Sequence, residues 1–353
     1  MTPSLDEIFD VVRETGASDV ILTPGVPPVA WVRGSMAFLP GEPLRGDGVG
    51  DVFLPLLSEE QKTRLEELGD LDFSIGRREI GRLRINLHRQ RGTLSAATRF
   101  IPLQVPSFEQ LNLPRRVLEF ARLPRWLVLV TGGAATGKST TLAAMIDFMN
   151  KNYSYHIITL EDPIEYTFHH HRSVIEQREI GRDAVSFASA LRHVVRQRPE
   201  VVLIGEMRDL ETISAALTAI EAGHLVLATL HTSSAVQTID RIIDIFPAAQ
   251  QGQVRIQLSS TMQGVCCQML FHDQSSRGMI PAVEIMVPTQ AIRRAIRDSE
   301  THLIQGMLET GQSLGMQSMD MAISRLVAAG RVSREHAVAG AHDPEKMKRL
   351  LAA

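Results

Sequence analysis

Residues 126–141 read WLVLVTGGAATGKSTT. An apolar run meets a glycine-bounded loop, and a helix-forming run, LAAMIDFM, follows. Gly132, Gly137, Lys138 and Ser139 fall on the G-x-x-x-x-G-K-[ST] spacing of a P-loop. That spacing suits phosphate chemistry. Gly132 and Gly137 let the backbone bend, so that N–H groups along Gly132, Gly133, Ala134, Ala135, Thr136 and Gly137 approach phosphate oxygens. A helix N-terminus adds positive partial charge at the same place. Lys138 reaches the β- and γ-phosphates, the Ser139 hydroxyl ligates Mg²⁺, and Thr140 completes the binding stretch. A chance match in a Gly- and Ser-rich turn is the bland alternative. The strand before the loop and the helix after it argue against that, so a nucleoside triphosphate is the expected ligand.

Four more apolar runs follow: HIITLED, VVLIGEM, HLVLATLH and PAVEIMV. Helical-period segments such as VSFASALRHVVRQ and LETISAALTAIEAG separate them. Strands this apolar are buried on both faces, so the expected fold is α/β, with a largely parallel sheet between helices. Ligands on such sheets sit at the carboxyl ends of strands, and those ends are acidic here. One run ends in Glu161 and Asp162, with Glu165 behind; VVLIG runs into Glu206, followed by Arg208, Asp209 and Glu211. An acid ending a strand beside a P-loop holds Mg²⁺ through water or orients the attacking water, so Glu206 and Glu161 are the catalytic candidates. His224 and His231 bracket the next run, with Thr229 and Thr232 nearby, and can report the γ-phosphate state. Solvated caps and satisfied structural histidines are the alternatives. The run His169, His170, His171 lacks cysteine or acid at ligand spacing and reads as a solvated loop.

The elements that position these residues divide into two domains, as a length of 353 residues allows. Residues 1–104 run helix, strands, helix, strands, an α+β pattern, and the second helix, LSEEQKTRLEEL, opens with a Ser58-x-x-Gln61 capping box. Within this part an acid-free stretch holds Arg82, Arg84, Arg89, Arg91 and Arg99. By itself it reads as a solvated strand face, with an anion site as the functional alternative. Residues 105–114 are expected as a linker, 111–121 as a short helix before the P-loop strand, and 115–353 as the P-loop domain, helical from about residue 289.

A net charge of −3 gives no argument for nucleic acid or an anionic membrane as a partner. Cys266 and Cys267 are adjacent, so a relaxed bridge between them is not expected, and no C-x-x-C pair supports a zinc ribbon. They lie in VRIQLSSTMQGVCCQML, which reads as helical, and are expected to be reduced core thiols of a cytoplasmic protein. The acidic, amphipathic start MTPSLDEIFDVV is unlike a signal peptide, and no apolar window is long enough to span a membrane. A membrane role is therefore expected only through a partner.

ITLEDPIEY (158–166), ALRHVVRQRPEVVLIGEMRDLETI (190–213) and GHLVLATLHTSSA (223–235) resemble the acidic box, Walker B and histidine box of the type II/IV secretion ATPase superfamily. GASDVIL, PPVAWVRG, IDRIIDIFP, AIRRAIRD (291–298) and GQSLGMQSMD extend the resemblance over nearly the whole chain, towards the type IV pilus retraction ATPases of twitching motility. The resemblance implies a homohexamer with ATP between neighbours, a PAS-like N-terminal domain and a RecA-like ATPase domain. It implies that Arg84, Arg91 and Arg99 contact nucleotide as the site closes; Arg82 and Arg89 match no such motif. It also implies work on an inner-membrane platform protein of the pilus machinery from the cytoplasmic face. The family's P-loop usually reads GPTGSGKST, where this chain has GGAATGKST, and Arg294 and Ala295 depart from the AIRNLIRE signature. An auxiliary retraction paralogue or an assembly-type ATPase is the nearest alternative. A small-molecule P-loop kinase and a non-hydrolysing assembly subunit are the distant ones.

Overall fold

The computed structural model describes residues 4–32, 35–77, 81–101, 104–276, 278–341 and 343–352. It divides into two compact units, Met1–Gln104 and Val105–Ala353.

Alternation builds the first unit. In β5 (Gly81–Gln90), Leu83, Ile85 and Leu87 are fully buried, while Arg84, Asn86 and His88 between them face the other way. Its partners are β1 (Ala17–Leu22), β2 (Val29–Val32), β3 (Ser35–Phe38), β4 (Asp70–Arg77) and β6 (Thr93–Ile101), in the antiparallel order β3-β2-β1-β6-β5-β4. The buried face packs with residues of α1 (Leu5–Thr15), α2 (Gly48–Phe53) and α3 (Glu59–Leu68), with Phe53 and Leu65 at the centre. The Ser58–Gln61 capping box at the head of α3 is present. The opposite face holds Asp19, Trp31, Arg84, Asn86 and Arg99 around a cavity of about 630 Å³. Arg91 and Gly92, both at positive φ (49° and 79°), make the two-residue turn joining β5 to β6.

The second unit follows the βα alternation. After α4 (Arg115–Phe120) come β7 (Trp126–Thr131), α5 (Lys138–Asn152), β8 (His156–Glu161), β9 (Val174–Glu179) and α6 (Phe187–Val194). Then follow β10 (Val201–Ile204), α7 (Leu210–Glu221), β11 (Leu225–Leu230), α8 (Ala235–Asp244) and α9 (Ala248–Thr261). β12 (Met262–His272) and β13 (Met279–Met286) complete a seven-stranded sheet, order β13-β12-β7-β11-β10-β8-β9, parallel except for the β12–β13 hairpin. Leu127 and Leu129 join one hydrophobic core and Val128 and Val130 another, which is why this strand lacks polar alternation. A helical part closes the chain: α10 (Gln290–Arg297), α11 (Ile304–Thr310), α12 (Met319–Ala328), α13 (Arg334–Gly340) and α14 (Pro344–Ala352). Buried Glu284 of β13 accepts from Ala235 N at 2.7 Å and Met319 N at 3.2 Å, the first residues of α8 and α12. Arg331 grips Asp273 with two hydrogen bonds, at 2.8 and 2.6 Å.

Two expectations are corrected. The cysteines lie on a strand: the helix stops at Thr261, and Cys266 and Cys267 sit beside Val130 and Thr131 of β7. A strand buried on both sides loses the period-2 signal that would have separated it from a helix. Both thiols are buried, and burial pushes Cys266 up to about 12, so neither is a nucleophile. The short helix begins at Arg115 rather than 111, because Pro114 occupies its N-cap and disfavours helical geometry in the residue before it.

β12 approaches α4 closely at Gly264, where an added Cβ would lie 2.4 Å from the Phe120 ring. Gly264→Ala should therefore cost about 1–3 kcal/mol by overpacking. Thermal unfolding checks this: the melting temperature should drop, and should partly recover when Phe120→Leu is added.

Candidate nucleotide site

The loop between β7 and α5 bends where only backbone fits. A Cβ on Gly132 would lie 2.5 Å from the Gln268 carbonyl oxygen of β12, and Gly132 has φ 142°. Ala135 (φ 58°) and Gly137 (φ 87°) are also left-handed. Ala135 stands where the resembled pattern has glycine, and an L-residue in that region costs about 1–2 kcal/mol. The loop keeps its turn despite the substitution. α5 starts at Lys138 with Gly137 as N-cap and no side-chain cap, so its first N–H groups are left to the loop mouth. The Lys138 ammonium donates to Gly132 O at 3.0 Å and Gly133 O at 2.6 Å. Burial pulls it below its ordinary value, and the carboxylates of Glu206 and Glu165 hold part of that shift back.

β8, β10 and β11 run parallel to β7, so their carboxyl ends converge on the same edge. Glu206, two residues past β10, accepts from Arg208 Nε at 2.6 Å and His231 Nε2 at 3.0 Å on the same oxygen. Burial alone would raise this carboxyl. The hydrogen bonds and charges of Arg208 and His231 outweigh it and leave Glu206 below its ordinary value. Glu161 ends β8. Burial dominates there and raises its carboxyl, although Thr159 (2.6 Å) and Gln177 (3.2 Å) both donate to its Oε1. Thr140, beside Ser139, shares a hydrogen bond of 3.0 Å with the Tyr166 hydroxyl.

The structure thus gathers Lys138, Ser139, Thr140, Glu161, Glu206 and His231 around one sheet edge. It does not bring His224 there. His224 precedes β11, at the amino edge, with Nδ1 2.6 Å from Pro199 O and its own carbonyl accepting from Trp126 N. The length of β11, roughly 20 Å at a strand's rise, separates it from the P-loop of its own chain. Thr229 is also structural: its hydroxyl donates to Gly205 O and its carbonyl accepts from Met207 N, stitching β11 to the Glu206 segment. Asp209 caps α7 through Thr212 N at 2.8 Å. In the first unit Arg84 and Arg99 are cross-strand partners, and Arg99 pairs with Asp19 at 2.8 Å. Arg91 stands apart from them at the hairpin tip, roughly 20 Å further along β5. The histidine run is an exposed loop anchored through Asn150, which receives His171 N (3.0 Å) and donates to His169 O (2.7 Å). Among the described residues no group of three or more His, Cys, Asp or Glu side chains is placed to hold a metal by itself. Sequence reasoning missed Gln177, Thr159 and Tyr166, which carry no motif signal.

These residues fit a triphosphate. Backbone donors, an uncapped helix N-terminus and a part-buried ammonium face one mouth, and two carboxylates of unlike character flank it. The Ser139 hydroxyl could hold a Mg²⁺ directly and Glu206 could hold it through water, oxygen ligands of the kind that ion prefers. A sheet of this order, with a P-loop leaving β7 and acids ending its neighbours, defines a P-loop nucleotide-binding domain. Residues 98–277 match the family model "Type II/IV secretion system protein", and the chain belongs to that family. It is 41% identical over 97% of its length, and 99% of the relative's, to the Pseudomonas aeruginosa protein named type IV pilus retractation ATPase PilT. It is 36% identical over 98% of its length, and 91% of the relative's, to that organism's type IV pilus ATPase PilU. Its fold matches a crystal structure of the pilus retraction motor PilT with bound ADP, with TM-score 0.91, 43% identity and coverage of 98% and 99% of the two chains.

Lys138→Ala should abolish nucleotide binding or turnover. Glu206→Ala should bind within a few-fold of the parent and lose turnover by about 100-fold or more. Fluorescent-nucleotide titration and phosphate release measure the two quantities separately, and a Glu206 variant at the parental rate would refute its assignment.

Proposed function

We propose that this chain is an ATP-hydrolysing motor that drives type IV pilus retraction. The observation that carries the reading is the match, over 98% of the chain, to a retraction motor solved with bound ADP. The site supports it: P-loop, both acids and His231 are present on one sheet edge.

In this reading the P-loop backbone, Lys138 and Ser139 bind ATP. Glu206, kept ionised by Arg208 and His231, orients the attacking water; with the Ser139 hydroxyl it would also hold Mg²⁺, through water, and the ion when bound would neutralise charge on the phosphate oxygens. Glu161, whose carboxyl is raised by burial, is suited to take the water's proton. His231 reports the γ-phosphate through its bond to Glu206. Arg84, Arg91 and Arg99 of a PAS-like first domain neutralise charge on the nucleotide of a neighbouring subunit in a ring of six. His224, remote from its own P-loop, serves the amino edge of the sheet. Closure around ATP moves one domain against the next subunit, and that motion acts on an inner-membrane platform protein from the cytoplasmic side. Among the described residues no helix is long and apolar enough to cross a membrane. The similarity to PilU supports a second reading, an auxiliary subunit working beside a principal retraction motor.

Retraction in cells lacking their own copy tests the reading. The parent chain should restore it and Lys138→Ala should not; restoration only when another retraction ATPase is present would select the auxiliary role. Rings mixed from Arg91→Ala and Lys138→Ala subunits should regain part of the activity, and no recovery in stable mixed rings would remove Arg91 from a trans role. The acid limb of turnover should follow Glu161. Its raised carboxyl protonates above the ordinary value of 4.5, so kcat should fall as pH drops through a higher range, while Glu206, held low, stays ionised there.

A further inference from the structure

Gln177 lies on β9, outside every motif, yet its amide makes two hydrogen bonds to the loop beyond Glu161 and a third to Glu161 itself. Phe168 N donates to Gln177 Oε1 at 3.0 Å. Nε2 donates to Tyr166 O at 2.7 Å and to Glu161 Oε1 at 3.2 Å. These partners fix the amide's orientation: a backbone N–H can only donate and a backbone carbonyl can only accept. Both Nε2 protons are therefore committed, one of them to Glu161. Thr159 adds a second donor to the same Oε1 at 2.6 Å. Among the described residues, Oε2 has only the long contact from Glu165 N, 3.4 Å.

We infer that Gln177 is a positioning residue that orients Glu161 so that Oε2 is the oxygen that receives the proton of the attacking water. This rests on the reading of Glu161 as the base. Two donors on Oε1 disfavour a proton there and fix the plane of the carboxyl group. The same amide holds the loop carrying Tyr166, whose hydroxyl meets Thr140 beside Ser139. Gln177 thus ties the base to the P-loop helix. The charges around Glu161 do not substitute for this. Glu165, on the same loop, raises its carboxyl further. Glu179 of β9 has its carboxylate on Ile164 N at 3.1 Å. Lys138 of α5 feels Glu206 and Glu165.

The test uses the full chain and four variants: Gln177→Leu, Gln177→Glu, Glu161→Gln and the double variant Glu161→Gln with Gln177→Leu. ATP affinity, kcat and the pH dependence of kcat are measured for each, with melting profiles as a check on folding. Gln177→Leu should keep nucleotide affinity within a few-fold and lower kcat about 10-fold or more. Its acid limb should move to higher pH, because losing a donor makes the carboxylate easier to protonate. Gln177→Glu should move that limb further, since a second carboxylate faces the first; it serves also if the leucine variant does not fold. The double variant should be no slower than Glu161→Gln alone, as expected if Gln177 acts through Glu161. A parental kcat and limb in both Gln177 variants, or additive losses in the double variant, would overturn the positioning role while leaving the base intact. A parental rate in Glu161→Gln would overturn the base itself, and the inference with it.

Discussion

The bend at Gly132, pressed against the Gln268 carbonyl, is the constraint on which the site depends. β12 lies directly beside β7, so the chain leaving β7 must turn away with nothing but backbone at the contact. That turn starts α5 at the sheet's carboxyl edge, with its N–H groups and Lys138 at the loop mouth. Parallel pairing then delivers the other groups. Because β8, β10 and β11 point the same way as β7, whatever follows or ends them arrives at the same edge. One steric requirement and one topological rule place the phosphate cradle, two acids and a histidine together.

The two acids differ by environment rather than by type. Glu206 is held down by an arginine and a histidine on one oxygen. Glu161 is buried and held by neutral donors, which leaves its carboxyl raised. Environments that push two carboxyls apart allow one to stay charged beside a cation while the other accepts a proton. The first unit offers a different electrostatic feature. Arg84 and Arg99 oppose each other across β5 and β6, where like charges are unfavourable, and Asp19 answers only one of them.

Much of this was legible in the sequence. The P-loop spacing, the acid-terminated runs and the capping box each carry their own local physics, and local physics survives folding. What was hidden depended on partners distant in sequence. His224 and His231 look symmetrical around one run, but a strand's direction puts them at opposite sheet edges. Cys266 and Cys267 sit in a strand buried on both sides, where alternation disappears. Pro114 resets the start of α4, a boundary the apolar spacing alone did not mark. Gln177 has no signature, since its meaning comes from meeting Glu161 and Tyr166 across the β8–β9 pair.

The most direct measurement is release of inorganic phosphate from ATP by the purified chain with water as the only acceptor. The account predicts repeated turnover that requires Mg²⁺. A folded chain that binds ATP and releases no phosphate over many multiples of its own concentration would contradict it.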